Sequence, residues 1–292
     1  MSVLEGPRRE LRRIVEGGVV QWVTPSDDGR ALVLGDGRRV DEATATYLPP
    51  CDPTKILCIH LNYDSRRVEF RAPELTTPTY FQKPPTAMNS HRGVLHRPAG
   101  CQYLNYEGEL AVIVGRPMKD IAPADVWDHI AGFAPANDVG LHDFRETDQG
   151  GMTRVKGMDG FCPVGPGIVC GVDVRHESVR TYVNGELVQE DPVSAMTFGV
   201  DYILADLCRH ITLLPGDVVL TGTPANSRPL QLGDVVEVEV TGVGRLTNVV
   251  AERPAPKHTV GHQPMDTDGI RRVALGGDWW AARDSEKNAA AR

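Results

Sequence analysis

What the sequence lacks narrows its possibilities first. No stretch approaches the roughly 18 apolar residues of a membrane-spanning helix, so no membrane partner is expected. The start, MSVLEGPRRELRRIV, carries charges where a signal peptide needs an apolar core, which predicts a cytoplasmic protein. CxxC spacing is also missing. Cys51, Cys58, Cys101, Cys162, Cys170 and Cys208 stand singly, which signals neither a zinc cage nor a redox pair and predicts buried free thiols. No block of one charge sign occurs. The net charge of −8 is dispersed along 292 residues, so nucleic acid is not an expected partner and a small molecule is. No internal repeat is evident. A chain of this length can bury a sizeable apolar core without disulfides.

What is present reads mainly as strands. Residues 13–48 alternate apolar runs (GGVVQWV, RALVLG) with DDGR and GDGRR turns, a pattern that predicts a small N-terminal β module over residues 1–50. The proline-rich YLPPCDPTK then reads as a linker. From KILCIHLNY onward, short β-branched runs bounded by glycine or proline recur, among them ELAVIVGR, GIVCGV, DVVLTGTP and DVVEVEV. Two segments have helical character: PADVWDHIAGF, with proline and acidic residues in its first turn, and FGVDYILADLCRHITLLPG, with apolar positions three and four apart. The segment from 253 to 292 turns polar and reads as a partly disordered extension, although the pair Trp279–Trp280 predicts that part of it docks on the body or on a second subunit.

Among residues that carry chemistry, NYEGELAVIVG stands out. Glu107 and Glu109 are two apart at the start of an apolar strand, and such residues share a face. Paired carboxylates repel unless water or a cation screens them, so the pair is either a site for Mg²⁺, Mn²⁺ or Ca²⁺ or a solvated strand edge. Asp138, in FAPANDVGLHDFR, lies where the chain turns from apolar to polar, just after the first of the two helical segments. It is either a site residue or a turn or helix cap. Lys156, in VKGMDGFCPVGP, can hold an ammonium near an anionic substrate or lie at the surface. TGTPANSRP places a glycine between Thr221 and Thr223, which lets the backbone approach a ligand, and otherwise forms a turn.

Taken in order, LNYDSRRVEF, FQKPPTAMN, NYEGELAVIVGR, AGFAPANDV, KGMDGFCPVGP, VNGELVQ and LPGDVVLTGTP followed by GDVVEVEV resemble the fumarylacetoacetate hydrolase superfamily over residues 55–252. The resemblance implies a mainly β (α+β) fold, a mixed β-sandwich roll with a few short helices, usually assembled as a homodimer. It implies one Mg²⁺ or Mn²⁺ per subunit, held by Glu107, Glu109 and Asp138, with Lys156 and Thr223 lining the site. It also implies a 2-oxo, 1,3-diketo or enol carboxylate substrate that is cleaved, decarboxylated or isomerised, often in aromatic-ring catabolism.

Two departures matter. Many hydrolytic members read NYxxHxxE, their His and Glu activating water, whereas this chain has Arg66 at the histidine position and keeps Glu69. Arginine is no general base at neutral pH. A replacement base would come from His60, His91, His96 or His142, of which His142 is nearest to Asp138 in sequence. After that aspartate the usual SARDxQ becomes GLHDFR, which puts His142 at the arginine position and Arg145 at the glutamine position. Glu69, Lys156 and His142 are therefore the catalytic candidates, and Tyr63, Arg66, Arg145 and Thr223 the substrate-binding ones, the arginines suiting a di- or tri-acid. HLNYDSRRVEF and NDVGLHDFR look most like the 2-hydroxyhepta-2,4-diene-1,7-dioate isomerase and tricarboxylate decarboxylase branch. The expected activity is decarboxylation or isomerisation of a 2-oxo or enol dicarboxylate. The alternatives are hydrolysis of an acylpyruvate or 1,3-diketo acid, and a non-catalytic protein that binds a keto acid.

Overall fold

The structure is a computed structural model and describes residues 3–290. In chain order the strands before the site are β1 (Arg9–Glu16), β2 (Val19–Pro25), β3 (Ala31–Leu34), β4 (Arg39–Asp41), β5 (Thr46–Tyr47) and β6 (Ile56–Ile59). Helix α1 (Asp64–Glu69) precedes β7 (Tyr80–Lys83), β8 (Met88–Asn89), β9 (Val94–Pro98), β10 (Leu104–Asn105) and β11 (Gly108–Val114). After β12 (Ile130–Asn137) and β13 (Gly140–Leu141) come short helices α2 (Arg145–Asp148) and α3 (Thr153–Lys156), then β14 (Cys162–Pro163), β15 (Gly167–Cys170), β16 (Ser178–Val183) and β17 (Glu186–Pro192). Helix α4 (Val200–His210) leads to β18 (Val218–Leu220), β19 (Val235–Val240) and β20 (Gly244–Arg253), and the chain closes with α5 (Asp268–Leu275) and α6 (Gly277–Ala290). Among the described residues no helix is long and apolar enough to cross a membrane, and the six cysteines form no disulfide.

An 11-stranded sheet runs β4-β3-β2-β1-β15-β12-β11-β18-β6-β7, with β5 on β1, and a five-stranded sheet runs β17-β16-β19-β20-β9. The second sheet packs on β11 and β12 of the first, the sandwich-like arrangement that the resemblance implies. Strand β11 lies at the centre, buried along its whole length. Because side chains alternate, its Leu110, Val112 and Val114 enter the core that α4 closes, while Ala111 and Ile113 enter a second core with Ala134, Ala136 and Cys162. Glu109 shares the parity of the second set, so the small residues there leave room for a polar site at the strand's start.

Three regions differ from what sequence patterns predict. PADVWDHIAGF is a 3-10 helix only over Pro123–His129, and the chain then enters β12. Pairing along β11 wins there, because β12 offers a nearly continuous buried run to the strand beside it. Asp138 thus follows a strand, not a helix. The N-terminal strands are continuous with the main sheet, since β1 pairs with β15 from Arg9↔Cys170 to Arg12↔Gly167. The polar tail, read as partly disordered, carries two helices. Thr267 caps α5 by accepting from the Ile270 amide at 3.2 Å, and Ile270 and Ala274, four apart, bury one stripe of it against Tyr103.

Candidate active site

The register of β11 against β12 makes the site. Gly108 pairs with Asn137 and Glu109 with Ala136, so Asp138 arrives beside Glu107, whose carbonyl accepts from the Asp138 amide at 2.8 Å. The Asn137 side chain accepts from the Glu107 amide at 2.8 Å and fixes the turn into the strand. One carboxylate oxygen from each of Glu107, Glu109 and Asp138 then lies within 4.8 Å of the others, the only such acidic, His or Cys group among the described residues.

Two buried ammonium groups face these three carboxylates. Lys156, at the end of α3, donates to Glu107 Oε2 at 2.7 Å and to the Asp138 carbonyl at 2.7 Å, and lies 3.0 Å from Asp138 Oδ2. Lys83, at the end of β7, donates to Asp138 Oδ1 and, at 3.1 Å, to the Val139 carbonyl. Lys83 and Lys156 pair with Asp138 and Glu107, and Arg66 also lies 3.8 Å from Glu107, which leaves a deficit of positive charge at the third carboxylate. That deficit falls on Glu109: burial, then the Asp138 and Glu107 charges, push its carboxyl well above the ordinary range, against the Gly222 amide that donates to it at 2.6 Å. Burial also pushes Glu107 up, but Lys156 and Arg66 more than offset it and hold it below the ordinary range. For Lys156 burial favours the neutral amine, and Asp138 and Glu107 outweigh it, so its pKa is raised and it stays an ammonium. A hard divalent cation among three oxygen donors would supply the positive charge that lets Glu109 ionise beside the other two carboxylates, so the residues fit such an ion.

The Thr-Gly-Thr turn serves this corner in a way that needs its glycine. Gly222 has φ +97°, and a Cβ there would stand 2.8 Å from Asn62 Cβ. Its amide binds the protein's own Glu109, and Thr221 donates to the Leu110 carbonyl at 2.9 Å. Thr223 faces the cavity and accepts from Gln189 at 3.1 Å.

A cavity of about 520 Å³ opens in front of the carboxylates. Of the remaining candidates, Arg66, His142 and Arg145 line it. His142 is buried, with no partner on either ring nitrogen. Burial, and then the Lys156 and Arg145 charges, drive its pKa well below the ordinary value, so the ring is neutral. Arg145 donates to Met152 Sδ at 2.8 Å and has no carboxylate partner among the described residues. His60 also lines the cavity, its pKa lowered by burial and by Arg145 and Lys156. His91 and His96 lie elsewhere, His91 against Tyr47 and His96 exposed on β9.

Tyr63 and Glu69 do not line the cavity. Tyr63 is wholly buried at the start of α1 with its hydroxyl unpartnered. Glu69 is saturated: Oε2 accepts from Arg66 at 2.7 Å and the Asn226 amide at 3.1 Å, and Oε1 from Arg228 at 2.7 Å and the Gly277 amide at 3.1 Å. Burial pushes this carboxyl up, but Arg66, the Gly277 amide and Arg228 together hold it below the ordinary range. Arg66 is committed in the same way, with Glu69 at 2.7 Å and Glu107 at 3.8 Å. Sequence patterns did not single out Lys83, Gln189, Arg272 or Val273. Lys83 ends β7 beside its neighbour β6, Gln189 stands in the β16–β17 hairpin, and the last two enter the cavity from α5.

The family model described as fumarylacetoacetate (FAA) hydrolase C-terminal matches residues 55–251. The chain is 34% identical over 248 residues to the 4-hydroxyphenylacetate degradation bifunctional isomerase/decarboxylase of Escherichia coli, covering 80% of this chain and 57% of that longer protein. In structure it is similar to a 5-carboxymethyl-2-hydroxymuconate delta-isomerase from Mycobacterium smegmatis, with TM-score 0.77, 34% identity and coverage of 84% of this chain and 99% of the other. It is likewise similar to a 2-hydroxyhepta-2,4-diene-1,7-dioate isomerase from Mycobacterium marinum, with TM-score 0.76, 34% identity and coverage of 84% and 99%.

Proposed function

Because the chain belongs to the fumarylacetoacetate hydrolase family, we propose that it is a divalent-metal-dependent enzyme that decarboxylates or isomerises a 2-oxo or enol dicarboxylate in the breakdown of aromatic compounds. The observation that carries this is the meeting of three carboxylates at the head of the cavity, one oxygen from each of Glu107, Glu109 and Asp138 lying within 4.8 Å of the others. Glu107, Glu109 and Asp138 would hold one Mg²⁺ or Mn²⁺, which supplies Lewis acidity for negative charge on the substrate's neighbouring oxygens. Lys156 adds a fixed positive charge on the same side. It is no base, since it is held protonated. The neutral ring of His142 lines the cavity and offers the substrate a hydrogen bond, while burial and the Lys156 and Arg145 charges keep it from holding a second proton. Arg145, free of carboxylate partners, grips a substrate carboxylate, and Thr223 offers its hydroxyl.

Hydrolysis through Glu69 is the weaker reading. A carboxylate with four donors already bound, and its pKa held down, is a poor acceptor for a water proton. Relatives named for isomerisation and decarboxylation support the same choice. The homodimer that the resemblance implies is read by light scattering.

The test is metal removal. Activity on 2-oxo and enol dicarboxylates should vanish after chelation and return with Mg²⁺ or Mn²⁺. Glu109→Gln should lower kcat/KM by roughly a thousandfold, about 4 kcal/mol, and abolish the rise in Tm that the metal gives. Metal-independent turnover by the Gln variant would sink the reading. Cleavage of acylpyruvates that Glu69→Gln abolishes would move the assignment to a hydrolase.

A further inference from the structure

The segment that matches the family ends at residue 251, yet Arg272 and Val273 of α5 line the same cavity as Glu107, His142 and Lys156. The C-terminal extension therefore supplies a wall that the matched segment does not contain.

The placement of α5 is fixed at many points. Asn105 donates to the Ala274 carbonyl at 2.8 Å in the interior, and Tyr103 donates to Asp266 at 2.7 Å. Thr267 donates to Glu146 at 2.7 Å, and the Met265 amide to the Asp143 carbonyl at 3.0 Å. Asp143 and Glu146 belong to the segment that carries His142 and Arg145, so α5 is clamped to the stretch that brings those two groups to the cavity. Beyond α5, the Gly277 amide is held by Glu69 at 3.1 Å, and Arg228 holds Asp278 at 2.7 Å. In this chain Glu69 ties the extension to α1.

The arginines of α5 and α6 are Arg271, Arg272 and Arg283. Arg271 pairs with Asp266 at 2.7 Å, and Arg283 pairs with Asp268 and with Glu286 at 2.9 Å. Arg272 alone of these has no carboxylate or hydrogen-bond partner for its side chain among the described residues. It also borders the groove that holds Trp279 and Trp280, where the acidic residue, Asp268, is already taken by Arg283. Arg272, exposed at the rim of a cavity that has acidic groups at one place and Arg145 at another and without a counter-ion of its own, suits a planar carboxylate bound through two parallel hydrogen bonds. The volume of about 520 Å³ exceeds what a chelating oxo-acid head alone fills and accommodates a chain with a second acid group.

We propose that the C-terminal extension completes the substrate cavity and that Arg272 binds the second carboxylate of a 2-oxo dicarboxylate, the one not engaged at Glu107, Glu109 and Asp138. This rests on the reading of the site as a metal centre for such acids. Arg272 is a specificity residue, not a catalytic one: it selects for a second acid group, and Val273 lies against the chain between the two.

The experiment compares two Mg²⁺-dependent ligands by calorimetry on the full chain. Oxalate presents the chelating head alone, and 2-oxoadipate adds a second carboxylate on a short chain. Arg272→Ala should weaken 2-oxoadipate roughly 10–100-fold and leave oxalate unchanged, and Arg272→Lys should restore part of the loss, because a point charge replaces the fork. Unchanged 2-oxoadipate affinity in Arg272→Ala overturns the proposal. Equal weakening of both ligands overturns it too, since that marks a structural effect. If oxalate with Mg²⁺ fails to bind the unaltered protein, the metal-centre reading fails and the role of Arg272 falls with it.

Discussion

Two segments lie outside the family-matched stretch, and they dock on it by different physics. Residues 9–47 extend the main sheet: β1 pairs with β15 through backbone hydrogen bonds, and the added strands enclose a small core of Ile14, Val23, Leu32, Leu34 and Tyr47. Residues 268–290 add no strand. They sit as helices held by side-chain contacts, and α5 reaches the cavity. Strand addition satisfies an edge that any backbone could fill, and it falls away from the carboxylates, so it bears on stability. A helix laid at a cavity's rim bears instead on which ligand fits.

The largest test of that contrast is in the N-terminal core. Leu32 is fully buried, and Leu32→Ala should cost about 2–5 kcal/mol of stability, since the small cluster around it has little capacity to collapse. Denaturant unfolding reads the loss, while kcat and KM at low temperature should stay as they were. Altered kinetics in the folded variant would show that the N-terminal strands also shape the site.

A smaller effect comes from the seam between those strands and the body. His91 packs edge-on against Tyr47, with ring centroids 4.8 Å apart, and accepts from the Thr247 amide on Nδ1 at 3.1 Å. Burial, and then Arg92, lower its pKa to about 4, with Arg12 acting in the same sense and Glu42 against them. The unfolded chain therefore takes up a proton near pH 6.5 that the folded chain refuses, and stability falls as pH drops from there to about 4, by up to about 3 kcal/mol. His91→Gln should flatten that part of the curve. A slope identical to that of the unaltered protein would mean that the seam does not sense acid.

These regions were legible in the sequence to different degrees. The N-terminal strands and β11 follow from alternation and glycine turns, local signals that tertiary packing did not overrule. Glu107 and Glu109 follow from a spacing of two, but their meeting with Asp138 depends on the pairing of β11 with β12, which only the family resemblance carried. PADVWDHIAGF misleads because proline and acidic residues in a first turn favour a helix, whereas the burial of Ile130–Asn137 beside β11 decides for a strand. Lys83 carries no local mark at all; it becomes a site residue because β7 ends beside Asp138, 55 positions away. The C-terminal helices were hidden by polar composition, since only Ile270 and Ala274 are buried in α5 and its anchors Tyr103, Asn105 and Glu69 are distant in sequence.

The smallest effect separates the two C-terminal helices. Arg71 pairs with Asp284 at 2.6 Å and stacks 4.3 Å from the Trp280 ring centroid, both on α6, but the pair is about half exposed. An exposed ion pair and an exposed cation–π contact are together worth about 1 kcal/mol, a factor of about five in the opening equilibrium of the helix. Arg71→Ala should therefore speed amide exchange in α6 about fivefold and leave α5 untouched, because Asn105, Tyr103 and Glu146 hold α5 without it. Binding of 2-oxoadipate should stay the same for the same reason. If exchange in α5 and dicarboxylate affinity move together with α6, the two helices open as one unit, and the cavity wall depends on the whole extension, not on the clamp around α5.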